Sequence, residues 1–165
     1  MAGGDTVTFT NVTSTFVGTF FVQGRGSVGS STTVTAQAPG YNDDTLPVTL
    51  QPSGFVFDSP GNFATTTFAA NTTLFIGSVR LTPGTLTVAA NQPVRGGLTV
   101  DVAVTSATPS VGVITTSPLT FVAGDGQVTT AFDPLNAGSS LLTVEVPPGF
   151  SPPTNFRQIT ATVNP

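Results

Sequence analysis

The sequence predicts an all-β chain: one complete antiparallel β-sandwich preceded by the C-terminal half of a second. Three observations carry this reading. Thr is the commonest residue, with 31 copies, and with Val it favours pleated, half-buried surfaces over helix. Apolar residues alternate with polar ones in short runs, punctuated by Gly and Pro at the roughly 8–12-residue spacing of sandwich strands, and no stretch keeps a helical period. Finally, the chain repeats itself. Val34, Ala36 and Ala38 match Leu142, Val144 and Val146 at a shift of 108 residues. Leu46, Val48, Leu50 and Pro52 match Ile159, Ala161, Val163 and Pro165 at a shift of 113. Pro39-Gly40-Tyr41 falls on Pro148-Gly149-Phe150, and Val7-Thr8-Phe9 on Leu119-Thr120-Phe121. Residues 5–52 therefore repeat residues 117–165, the pattern of tandem modules.

In chain order, residues 1–4 read as a leader. Residues 5–12 and 16–22 read as strands, the second with Gly18 inside it. Residues 31–38 and 46–50 are two further strands, and Pro47 marks the latter as an edge. With residues 1–52 they form the C-terminal half-module. Residues 53–73 have no counterpart in the repeat. They read as a Phe-rich connector or hairpin around the turn Asp58-Ser59-Pro60-Gly61. The complete sandwich is expected over 74–165, opening with a strand at 72–81. Further strands are expected at 85–89, 97–105, 111–114, 119–122, 127–132, 141–146 and 158–163. Val100 and Val144 are expected in one core, on strands of opposite sheets.

Composition excludes most chemistry. The chain has no His, Cys, Lys or Trp. That removes imidazole acid–base catalysis, thiolate chemistry, Schiff bases and Lys–Asn isopeptide crosslinks. Neither GxSxG nor SxxK occurs. The expectation is a protein that is not an enzyme and holds no cofactor or metal. Net charge is −4, and the four Arg residues are scattered, so no basic patch for nucleic acid forms. No apolar run reaches the roughly 18–20 residues of a membrane span.

The stretches Thr108-Pro109-Ser110-Val111-Gly112, Leu119-Thr120-Phe121, Ala137-Gly138-Ser139-Ser140 and Ile159-Thr160-Ala161-Thr162-Val163 resemble bacterial Ig-like domain repeats. Ala38-Pro39-Gly40-Tyr41 followed by Val48-Thr49-Leu50 looks like the end of such a repeat too. The resemblance covers nearly all the chain outside residues 53–71. It implies an Ig-like sandwich from a large tandem-repeat secreted or cell-surface protein. Members of that family are mostly non-catalytic spacers, stalks and adhesin shafts. The function it implies is an extracellular structural module of a surface array or fibre. A carbohydrate- or cell-binding adhesin module and a phage virion decoration domain are the alternatives.

Six aromatics are the candidate interface residues: Phe20, Phe21, Phe55, Phe57, Phe63 and Phe68. Adjacent Phe20 and Phe21 on one strand would face opposite ways, so one would leave its own core. Asp43-Asp44 is the best acid pair for Ca²⁺, but it lacks the spacing of a calcium loop and reads as a solvated turn. Tyr41 and Phe150 hold matched corners, where an exposed ring could stack on a glycan. Partners are expected to be neighbouring repeats or further copies of the chain. Four strands alone leave an uncovered apolar face, which monomers rarely tolerate. A second chain, the folded-back connector, or a neighbour in a longer array are the three ways to cover it, the second chain being favoured.

Overall fold

Thirteen strands and no helix form among the described residues, 5–165, of the computed structural model. The leader read at residues 1–4 lies outside the described residues. The first two strands, β1 (Ser31–Ala36) and β2 (Asp44–Thr49), pair only with each other, antiparallel. Next come β3 (Ser53–Ser59), β4 (Phe63–Thr66), β5 (Thr72–Leu81) and β6 (Val88–Asn91). The central region holds β7 (Val100–Val102), β8 (Val104–Ser106), β9 (Gly112–Ile114) and β10 (Leu119–Phe121). The chain closes with β11 (Gln127–Pro134), β12 (Gly138–Val144) and β13 (Gln158–Asn164).

Two sheets pack over one core. One runs β3-β5-β11-β9, with β6 also on β5; the other runs β4-β13-β12-β8, and β10 pairs with β7. The inward phases of both sheets meet in one cluster. Leu74, Ile76 and Phe132 come from the first sheet, and Val104, Leu142, Val144, Ile159 and Ala161 from the second. Phe63 of β4 reaches across to Phe132 of β11, edge on, at a centroid distance of 5.7 Å. The result is the Ig-like β-sandwich the alternation predicted. A smaller cluster of Val56, Val79 and Leu81 lies apart from this core, with Leu86 and Val88 packed against it. That second cluster explains why Phe55, Val56 and Phe57 are all buried: the two Phe belong to the main core, and Val56 belongs to the other cluster.

The structure corrects several expectations. The segment 53–73, expected as a connector or hairpin, pairs with strands of the sandwich. Its β3 pairs with β5, and its β4 pairs in parallel with β13. The two strands flank the Asp58–Gly61 turn yet join different sheets, so they form no hairpin. A tight turn signals a change of direction; which edges the flanking strands then find depends on where apolar side chains can be buried. The ladder with β5 begins at Ser53. Residues 5–12 and 16–22 form no strands. Their alternation is present, but they find no ladder partner among the described residues. The run expected at 97–105 is parted at Ala103 into β7 and β8, and Val104 pairs directly with Val144. Val100 and Val144 do share one core; Val100 sits on β7, which pairs with β10, and of this run only β8 lies beside β12.

A polar relay locks the second sheet to the β8–β9 turn. Ser106 Oγ donates to the Gly112 carbonyl at 2.7 Å, so its one proton is spent. Ser140 Oγ, 2.8 Å away, must then donate to Ser106. It also accepts the Thr108 N–H at 3.0 Å. Ser140→Ala leaves that N–H without its partner, and the expected loss is about 1–3 kcal/mol. A urea titration showing an unchanged midpoint would count against the relay.

Candidate interaction surface

One part of the sequence match, the hairpin at 31–49, has the backbone register of its counterpart, whereas residues 7–9, matched to β10, form no strand. Val34 pairs with Leu46 in β1–β2, and their counterparts Leu142 and Ile159 pair in β12–β13. Thr32 with Val48 corresponds to Ser140 with Ala161, and Thr35 with Thr45 to Thr143 with Gln158. The corners agree as well. Tyr41 N–H donates to Ala38 O at 3.1 Å, and Phe150 N–H to Pro147 O at 3.2 Å. Gly40 and Gly149 take φ of +83° and +85°, a conformation that favours glycine. The hairpin at 31–49 is thus built to the same register as the closing hairpin of the sandwich.

The two hairpins differ in what covers them. Ser140, Leu142, Val144, Ile159, Ala161 and Val163 are buried. Of their counterparts, Thr32, Ala36 and Leu46 are exposed, and Val34, Val48 and Leu50 are half-buried. Phe150 packs on Phe55 of β3 with centroids 4.9 Å apart, whereas Tyr41 is 81% exposed. The apolar residues upstream are open too: Val7, Phe9, Val12, Phe16, Val17 and Val22 are all exposed. Gly24 and Gly26 lie close over Leu50 and cover it in part.

The six candidate Phe residues separate into two groups. Phe20 and Phe21 are exposed, the latter at 88%, and Phe68 is exposed at 94%. Phe55 and Phe57 are buried in the core, and Phe63 is half-buried against it. These three pack within the sandwich, on its first strands. The signal available in the sequence was the Phe-x-Phe alternation, which is that of an inward strand face.

The acids sit in local hydrogen bonds. Gln37 Nε2 donates to Asp43 Oδ2 at 2.7 Å, and Thr45 N–H to Asp44 Oδ1 at 2.9 Å. Asp125 Oδ2 accepts Val122 N–H at 2.9 Å, as its turn position suggests. Asp101 accepts from Thr120 Oγ1, and Glu145 from Thr105 Oγ1. No cluster of three or more metal-ligating side chains occurs among the described residues. Sequence reasoning did not anticipate a shallow groove lined by Leu86, Pro153, Phe156 and Arg157. Leu86 and Phe156 there have φ of +56° and +60°, uncommon for large residues.

No family model matches the chain, and no curated protein matches it. Among solved structures, it is similar to domains 4 and 5 of the S-layer protein SbsC. Identity is 15% and the TM-score 0.48, over 81% of this chain and 66% of that one. It is also similar to SbsC domains 1–6, at 18% identity and a TM-score of 0.43, over 82% of this chain and 16% of that one. A third similarity is to the D00–D0 domain of intimin, at 14% identity and a TM-score of 0.40. It covers 80% of this chain and 62% of the intimin chain. The chain thus spans just under two thirds, or less, of each of these structures.

Proposed function

We propose that the chain is a non-catalytic structural module of the bacterial cell surface or extracellular space, a segment of a tandem array or fibre. In this reading residues 5–52 are the back half of a sandwich, completed by strands from a neighbour, and modules join where half meets half. One observation carries the proposal. The β1–β2 hairpin repeats the register and corner of β12–β13, yet the face that β12–β13 buries is open in β1–β2. A chain with no His, Cys or Lys also lacks the side chains most catalytic sites rely on. The glycan-binding alternative would want a coplanar set of exposed rings. The exposure of Tyr41 has a simpler cause: no equivalent of Phe55 stands beside it.

Hydrogen exchange with sedimentation at low micromolar concentration tests this reading. The expected result is that amides at 31–49 exchange far faster than those of β12 and β13 whenever the chain is a 16.7 kDa monomer. A monodisperse monomer with 31–49 as protected as β12 and β13 would overturn it.

A further inference from the structure

We infer that the open face of β1–β2 is an acceptor for the first strand pair of a neighbouring module, a segment patterned like residues 53–67 of this chain. This rests on the reading of residues 5–52 as a back half, and it names the partner. The template is the chain's own sandwich. There, β4 adds in parallel to the outer edge of β13, Phe63 opposite Ala161 and Thr65 opposite Val163. Just upstream, β3 places Phe55 and Phe57 in the core formed with Leu142, Val144 and Ile159. Phe55 also supports the corner ring Phe150.

Each of these contacts has an unfilled counterpart in the first hairpin. β2 pairs only with β1, so its other edge carries no strand among the described residues. Val48 and Leu50 stand where Ala161 and Val163 receive β4. Val34 and Leu46 stand where Leu142 and Ile159 meet the core, and Leu46 is 63% exposed. Tyr41 stands where Phe150 meets Phe55. Pro47 sets the start of the docking register. It corresponds to Thr160, whose N–H is taken by the Asn62 side chain at 2.8 Å and not by a backbone carbonyl. Losing that donor leaves the ladder at Val48–Gln51 intact, while it blunts the edge toward Asp44.

A second folded copy does not supply this strand pair. The described residues carry two back halves, 5–52 and 117–165, and one front half, which the second back half already holds. Exchanging residues 53–67 between copies covers one face only by uncovering another. The occupant is therefore the front of another module, added by β-augmentation with the Phe-x-Phe face turned inward.

The probe is a synthetic peptide of residues 53–67, SGFVFDSPGNFATTT, added to the full chain and read by amide hydrogen exchange. A second peptide carries Ser in place of both Phe55 and Phe57. The expected result is that the first peptide slows exchange across 48–51 by about tenfold at roughly ten times its dissociation constant. The Ser peptide is expected to leave it unchanged. No slowing with millimolar peptide, or equal slowing by both peptides, overturns the assignment. So does a change confined to β12 and β13, which would mean exchange with the chain's own front strand. Protection of 31–51 that rises with protein concentration alone would show a second copy on the face, and that too overturns it. In each of these cases the parent reading stands if the dilute monomer still exchanges freely at 31–49, so the two failures are separable.

Discussion

Leu142→Asp is expected to unfold residues 53–165, while Val34→Asp, the same change at the matching position of the first hairpin, leaves the melting curve nearly unmoved. Leu142 is completely buried, between Ile159 and Ser106 on the neighbouring strands. The core around it is apolar, with Leu74, Ile76 and Phe132 in the same cluster. A carboxylate there is desolvated without a partner, at a cost of several kcal/mol. The lost packing adds to this, and a domain of this size has only about 5–15 kcal/mol in hand. Val34 holds the same register but is only half-buried, so its carboxylate keeps much of its hydration. Circular dichroism melts of the two variants decide the matter. A folded Leu142→Asp protein would remove β12 from the core. A large fall in melting temperature for Val34→Asp would mean that the first hairpin is already covered in the isolated chain.

The second large effect is Phe55→Ala, expected to destabilise the sandwich by about 3–5 kcal/mol, with Phe68→Ala close to neutral. Phe55 is 2% exposed and touches Phe121 and Phe150 at centroid distances of 4.8 and 4.9 Å. Truncating it opens a cavity between the first sheet, β10 and the closing corner. Phe68 is 94% exposed, so its ring loses little when removed. The pair separates two views of residues 53–73. If they were a connector outside the sandwich, both substitutions would be mild in a denaturant titration. A Phe55→Ala midpoint equal to that of the unaltered chain would return the segment to that role.

The elements of the sandwich were legible because alternation is a local property. The strand at 72–81 was read to the residue, and those near 127, 141 and 158 to within a few. The repeat was legible for a related reason: two hairpins with the same inward residues and the same Pro-Gly-aromatic corner must adopt the same register. Partnership was not legible. Residues 53–66 carry the same alternation whether they pair with each other or cross from one sheet to the other. Residues 5–22 carry it without forming strands at all. A strand is completed by a neighbour's backbone, and nothing in its own residues specifies which neighbour that is.

The amino-acid sequence by itself determined that the chain is all-β, that two hairpins share one alternation and one Pro-Gly-aromatic corner, and that His, Cys and Lys side chains are absent from it. Each of these depends on residue type and spacing alone. Only the tertiary structure decided that the Phe-x-Phe segment belongs to the core and that one run near Ala103 serves two pairings. It alone also decided that, of two hairpins alike in register, one is buried and the other open. Burial is a relation between segments far apart in the chain. The same alternating strand is a core element or an acceptor surface according to whether the opposite sheet is there to meet it.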